Sequence, residues 1–517
     1  MCTLFHLRID VRRIQDYIFN VPKLKYMLGA NSKIGELLEQ DLPNMMGIPE
    51  CLLPLEGLDA ELVEMFKRNI ISSSGGHFEA LFKDKETMTN LLRSFENYVV
   101  KELPDLEWSG FLREFDPNIT WGEFKKLEIR PLNGTTGVLF PDSPFFQICA
   151  NDGMSTAVGF EKEKGVPLGL KSKLMLEQAD KFYKLKSVDG LAKFLLETGV
   201  TSGMLADTLE QLAARGCSLK RNMLAYIKLD GNGTGERFRK MSKDIDNTNV
   251  LSAFAAIEKF WKDNRGNIRT ALKEVLTGEL ISNYESGVRP YLPLMLGGDD
   301  LFIVCVPEIA LDLVAKLVSG LPGTCPASAG VAFTKTNYPI GLAARLAESC
   351  LESAKAASYR QDSGSKPSFI DWHVHFDSVY QDIEDIRRSS YMLEYKGKDG
   401  DMVELLTARP YSLADLDGLL KEVKKVAKDL DRPEKERANN KIKGFRSVLK
   451  DGTAEADYFR KMIVGNDEEL NSLFGKHETL GKITNKTVIK NKALDIIELI
   501  EFYRQPKEGG DHEKDPN

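Results

Sequence analysis

The sequence predicts an α+β fold in which one unit of strand, helix, hairpin and helix occurs twice, with helical segments between and after the copies. Three observations carry this. The strand-like segments LFHLRID and LAYIKLD each end in an aspartate, Asp10 and Asp230. Each is followed by helix-patterned sequence and then by apolar, β-favouring arms around a Gly-Gly pair. The distance from aspartate to hairpin is 65 residues in the first copy, Asp10 to Gly75, and 67 in the second, Asp230 to Gly297, the near-equality expected of a duplication.

In the first copy the strand TLFHLRID leads into helical sequence from Ile14 through NSKIGELLEQ, then the hairpin IISSSGGHFEALF, then the helix KETMTNLLRSFENYVVKEL. Residues 152–221 read as a small helical insert, carried by VPLGLKSKLMLEQADKFYKL and VDGLAKFLLETG. The second copy runs from LAYIKLD through the helix NVLSAFAAIEKFWKDN to the hairpin YLPLMLGGDDLFIVCV. It continues as helix EIALDLVAKLVSGL, strand ASAGVAFTK, helix GLAARLAESCLESAKAA and strand FIDWHVHF, the pattern of helices packed on one antiparallel sheet. Beyond Ser412, SLADLDGLLKEVKKVAKDL, the basic KERANNKIKGFRSVLK and NKALDIIELIEFYR read as a separate all-α module. The terminal QPKEGGDHEKDPN reads as a frayed tail. The expected domains are therefore 1–151, 152–221, 222–404 and 405–517.

A chain of 517 residues, 42% apolar and 28% charged, buries a large core and divides into about three or four domains. Its net charge of −7, from 70 basic and 77 acidic residues, argues against a wholly electrostatic nucleic-acid binder. Seven cysteines, none in a CxxC pair, fit neither a disulfide scaffold nor a zinc ribbon and point to a reducing cytoplasm. No apolar run approaches the roughly 18 residues that span a bilayer, so no membrane partner is expected.

The chemistry concentrates in the second copy. Gly297 and Gly298 let backbone approach a phosphate closely, and Asp299 and Asp300 put carboxylate oxygen beside that opening. Asp230 ends its strand and precedes GNGTGERF, where Gly231, Gly233 and Thr234 form a small-residue loop entering a helix, a setting suited to a triphosphate. Mg²⁺ or Mn²⁺ takes such oxygen ligands, and two ions can activate a 3′-hydroxyl and stabilise departing pyrophosphate. In that scheme Asp230, Asp299 and the Gly231 carbonyl are metal ligands, Asp300 is an orienting acid and Lys355 a phosphate contact, against the plainer reading of Lys355 as a solvated helix lysine. The first copy has His77 and Phe78 where the second has its aspartates, so it is not expected to be catalytic. His77 reads as an exposed turn residue, and His373 and His375 as a half-exposed strand edge.

The ordered set IDVRRIQDYIF, ANSKIGELL, SSSGGHFEALF, YIKLDGNGTG, LGGDDLFIV, ASAGVAF and AESCLESAK resembles the large palm subunit of type III CRISPR effector complexes, the Csm/Cmr large-subunit family, over roughly residues 4–380. The resemblance implies two ferredoxin-like palm domains facing one another, with ATP bound between them and Ser74, Gly75 and Gly76 contributing to the nucleotide site. It also implies cyclic oligoadenylate synthesis at the GGDD palm when target RNA is bound, with guide RNA and other effector subunits as partners. Three departures stand out. The chain starts directly at the first palm without a His-Asp nuclease domain, the cysteine pairs of a zinc insert are missing, and Asn232 stands where many members carry an aspartate. A catalytically weak RNA-sensing scaffold and a stand-alone palm cyclase remain as alternatives.

Overall fold

The computed structural model describes residues 3–504 except 48, 136–146, 162–163, 188, 221, 285–286, 362–365, 377–379, 398–399, 484–485 and, apart from residues 442, 448 and 458, 432–476. The basic stretch KERANNKIKGFRSVLK falls almost wholly, and the terminal tail wholly, outside the described residues. The chain forms two compact units. The first comprises Met1–Thr208, Gly233–Val288 and Leu292–Phe302, and the second Leu209–Asn232, Arg289–Tyr291 and Ile303–Asn517.

The first unit holds a five-stranded sheet of order β2-β3-β1-β4-β5, from β1 (Leu4–Arg12), β2 (Ile70–Ser74), β3 (His77–Phe82), β4 (Glu107–Phe115) and β5 (Arg130–Thr135). Strict alternation along β1 sends Leu7, Ile9 and Val11, all buried, to one face and His6, Arg8 and Asp10 to the other. Helices α1 (Leu24–Glu36) and α2 (Lys85–Glu102) belong to this unit. In α2 the buried positions Met88, Leu91, Phe95 and Val99 recur at helical spacing, Asp84 caps the first turn by accepting from the Thr87 amide at 2.7 Å, and Phe95 meets Trp108 of β4 edge-on.

Residues 152–221 are helical as expected in α3 (Leu170–Tyr183) and α4 (Gly190–Glu197), preceded by a short hairpin of β6 (Ala157–Phe160) and β7 (Pro167–Gly169). The first unit also carries α5 (Thr234–Asp244) and the long α6 (Val250–Thr277). Phe254 of α6 packs into a cluster with Leu4, Phe66, Leu81, Phe115 and Phe124.

A six-stranded sheet has the order β15-β12-β11-β8-β10-β9, with β8 (Met223–Gly231), β9 (Tyr291–Leu296), β10 (Asp300–Cys305), β11 (Ala327–Lys335), β12 (Phe369–Val374) and β15 (Tyr411–Ser412). Seven successive residues of β8, Met223 to Leu229, are buried, the run expected of a central strand covered on both faces. In the second unit, α7 (Pro307–Ser319) and α8 (Ile340–Tyr359) pack on β8 and β11. Helices α9 (Leu413–Leu430) and α10 (Ala493–Tyr503) lie where the sequence places them, and Phe502 stacks on Phe333 of β11 at 4.6 Å.

The expectation of an all-α C-terminal module fails. Strands β13 (Met392–Gly397), β14 (Gly400–Leu405), β16 (His477–Ile483) and β17 (Lys486–Asn491) form a sheet of order β13-β14-β17-β16. The β-branched Thr487, Val488 and Ile489 favour extended backbone, and parallel pairing with Met402–Leu405, far away in sequence, realises it. The edge reading of His373 and His375 also fails. Both are buried: Tyr391 packs against His373, Tyr338 meets the His375 ring edge-on at 4.8 Å, and the His375 amide donates to the Phe333 carbonyl of β11 at 2.8 Å.

Candidate functional site

The first unit encloses a cavity of about 590 Å³ lined by both Gly-Gly hairpins. Ser74, Gly75 and Gly76 meet it from the β2–β3 turn, and Gly297, Gly298, Asp299 and Asp300 from the β9–β10 turn. The two turns differ in backbone. Gly75 and Gly76 both take left-handed conformations, φ 64° and 85°, which match a two-residue hairpin to the twist of its strands. Neither Gly297 nor Gly298 does so. At Gly297 the neighbour is a side chain instead: a Cβ there would come within 2.0 Å of the Asp300 carboxylate, which would have to turn aside. The turn is closed by the Gly297 amide donating to the Asp300 carbonyl at 3.1 Å.

Other walls of the cavity come from residues that sequence reasoning did not single out. Asn31 and Glu39 lie two turns apart along the helical segment that includes α1, Asp189 and Gly190 begin α4, and Trp261 and Arg265 project from α6. Glu39 sits in a single π-helical turn, Leu37–Asp41, a distortion often found at functional sites. Burial lifts its carboxyl to about 7, against the opposing pull of Lys193 and Arg269. Asp189 is buried and holds its corner by capping α4 and accepting from Ser32 at 2.6 Å. His77 is not an exposed turn residue. It is partly buried, lines this cavity, and is shifted toward its neutral form by burial.

In the second unit, Asp230 and Gly231 end β8, and Lys355 of α8 forms an ion pair with the Asp230 carboxylate. The solvated-lysine reading of Lys355 is thereby replaced: its ammonium is directed onto the predicted metal ligand. Asn232 is 1% exposed, and its side-chain amide donates to Ser328 Oγ at 3.0 Å, Ser358 Oγ at 3.2 Å and the carbonyls of Lys366 and Pro367 at 3.3 and 3.0 Å. Two members of that shell, the carbonyls, can only accept and require a donor. Asn232→Asp replaces the amide with a group that, ionised, has no proton to give, and we expect it to lower stability by about 2–4 kcal/mol. The loss should be greater at pH 8 than at pH 5, where the acid can be protonated, and urea midpoints at the two pH values measure it.

Gly233 and Thr234 begin α5 in the first unit. Gly233 takes the left-handed cap conformation, φ 66°, and α5 has no side-chain cap bond at its N-terminus. Neither residue lines the 590 Å³ cavity. Among the described residues no group of three or more His, Cys, Asp and Glu side chains is arranged to hold a metal ion. The hard carboxylate oxygens of Asp230, Asp299 and Asp300 nonetheless match Mg²⁺, which commonly takes one or two carboxylates and completes its shell with water and substrate phosphate. Among the described residues no helix is long and apolar enough to cross a membrane.

No family model matches the chain, and no curated protein sequence matches it. The fold, however, is one seen in solved nucleotide-liganded structures. Those structures are of the Csm1–Csm4 cassette. In its complex with cA4, the matching chain has a TM-score of 0.52 at 13% identity, over 97% of this chain and 70% of that one. In its complex with AMPPNP the TM-score is 0.50 at 13% identity, over 98% and 71%. At such identity the likeness is one of fold.

Proposed function

We propose that this chain is a palm-type nucleotidyltransferase that converts ATP to cyclic oligoadenylate, as the large subunit of a type III CRISPR-like effector activated by target RNA. The observation that carries the reading is the cavity in which two glycine hairpins and the Asp299 and Asp300 carboxylates converge. The fold likeness to a cassette solved with cA4 and with AMPPNP supports the nucleotide class. The proposed domains are a degenerate palm over 1–151, an insert over 152–221, the GGDD palm over 222–404 and a C-terminal domain from 405.

In this reading Asp230, Asp299 and the Gly231 carbonyl hold Mg²⁺ or Mn²⁺, which when bound neutralises triphosphate charge and activates the attacking hydroxyl. The chain's own groups do the rest. The glycines of both turns let phosphate approach the backbone, Asp300 orients Asp299, and Gly233 and Thr234 set the N-terminus of α5 toward anionic oxygen. Lys355 moves from Asp230 to a phosphate when nucleotide arrives.

A second reading, an RNA-sensing scaffold that binds ATP and turns it over little, is favoured by one observation. Asn232 is committed to a structural shell where a further carboxylate would otherwise stand. Incubation of the protein with labelled ATP and Mg²⁺ or Mn²⁺, alone and with guide complex plus target RNA, separates the two. A cyclic adenylate formed only with target RNA is the expected result. Product without RNA would indicate a stand-alone cyclase, and ATP binding without product the scaffold.

A further inference from the structure

A second cavity, of about 390 Å³, lies in the first unit between the sheet and α6. A sheet face covered by a helix is ordinarily apolar. At one end of this face that holds, where Leu4, Leu81 and Phe115 join the core with Phe124 and Phe254. Toward the other end the same face turns ionic. The strand register sets His6, Arg8 and Asp10 of β1 beside His77 and Glu79 of β3 and Arg113 of β4, and all six line the cavity. A covered face that departs this far from its expected pattern marks a functional position better than a packing one.

Most of these charges answer one another. Arg8 donates to Asp10 at 2.7 Å and to Glu79 at 2.8 Å, and the His6 ring lies 3.3 Å from Glu79. Burial works to raise the Glu79 carboxyl, but the hydrogen bond from His6 and the charges of His6, Arg8 and His77 outweigh it and hold it at about 2. Arg113 is the exception. Among the described residues its guanidinium has no hydrogen bond or ion pair, its Nε is buried, and it lies 4.8 Å from the centre of the Phe124 ring. Trp121 stacks on that ring at 5.4 Å, and Phe111 and Trp261 complete aromatic walls.

We propose that this cavity is a second small-molecule site, which takes a guanine base with its O6/N7 edge on Arg113 and its flat faces against the aromatic rings. A guanidinium fork is matched by two adjacent in-plane acceptors, which guanine presents and adenine, with an amino group beside N7, does not. A bare phosphate would also suit Arg113, but it would face the ionised Glu79 and leave the aromatic walls unused. The site is distinct from the hairpin cavity and does not depend on the ATP reading. His77 and Trp261 line both cavities, so a base in one touches the wall of the other.

The test is isothermal titration of the full chain with GMP and with AMP in EDTA. Saturable GMP binding, at least about tenfold tighter than AMP, is expected. Arg113→Met should weaken GMP by about tenfold or more, while the Asp299→Asn/Asp300→Asn double variant binds it unchanged. If Arg113→Met fails to fold, Ile129→Trp decides, because Ile129 is 45% exposed where it lines the cavity and its enlargement obstructs entry without disturbing the core. An oligouridylate with a single guanine that competes with GMP assigns the base to an RNA strand, and failure to compete assigns it to a free nucleotide; both keep the site. No GMP binding, equal binding of AMP, indifference to Arg113→Met (or to Ile129→Trp where that variant decides), or loss in the double aspartate variant would overturn the proposal.

Discussion

Asp299→Ala combined with Asp300→Ala is expected to reduce ATP turnover by about 10³-fold or more, with the fold intact. Both side chains are partly exposed at a turn that faces the 590 Å³ cavity, so neither supports the core. The bond that closes the turn runs between backbone groups of Gly297 and Asp300 and survives the substitution. The carboxylates are therefore separable from folding, and the variant should keep the circular dichroism and denaturation midpoint of the parent while product vanishes from the chromatogram. Undiminished product would remove these residues from the site. His77→Ala, beside the glycine turn that lacks carboxylates, should have little effect on turnover.

The second large effect concerns stability. Asp495 of α10 is fully buried, accepts from Thr407 Oγ at 2.6 Å, the Ala408 amide at 2.8 Å and the Tyr411 hydroxyl at 2.8 Å, and forms an ion pair at 3.0 Å with Arg409, whose Nε–H donates to Thr407 Oγ at 2.8 Å. Arg409, also buried, reaches Glu498 at 3.1 Å and the Trp372 carbonyl at 2.8 Å. Asp495→Ala strands a buried guanidinium with one carboxylate and leaves other donors without their acceptor. Breaking a buried pair from one side in this way costs about 3–5 kcal/mol. A urea midpoint unchanged from the parent would show that the network contributes nothing.

The same region sets a pH dependence. Burial, with the positive charges of Arg409 and Arg387, holds His373 well below its ordinary value near 6.5. The unfolded chain thus binds a proton near pH 6.5 that the folded chain refuses. Its stabilising share is complete above pH 6.5 and falls as pH drops below it, by up to about 1.4 kcal/mol per unit. His373→Phe should flatten the dependence of the urea midpoint between pH 7.5 and 5.5.

What could be read in the sequence is what is encoded locally. Alternation in β1, the apolar, β-favouring arms of both hairpins, and 3.6-residue spacing in α2, α6 and α8 need no knowledge of partners, and these elements fall where expected. The hairpin glycines and aspartates were legible for the same reason, because turn chemistry is confined to a few residues. The misses share a cause of the opposite kind. Thr487–Ile489 are extended through pairing with Met402–Leu405, His373 is enclosed by Tyr391 and Arg409, and Lys355 is directed onto a carboxylate 125 positions earlier. Asn31, Glu39 and Arg265 are ordinary helical residues until the cavity gathers them. Arg113 reads as a strand residue like its neighbours, and only the pairing of the other charges leaves it over.

The contrast between the two glycine turns bears on how substitutions would be tolerated. In a saturation scan, Gly75 and Gly76 should reject most side chains through backbone handedness alone, though their turn holds no carboxylate. Gly298 has neither a left-handed conformation nor any atom within 4 Å of an added Cβ, so nothing in the fold opposes replacement there. Depletion at Gly298 in a selection for activity, beside neutrality in a selection for folding, would measure the space a ligand occupies. The same invariance at Gly75 and Gly76 would carry no such information.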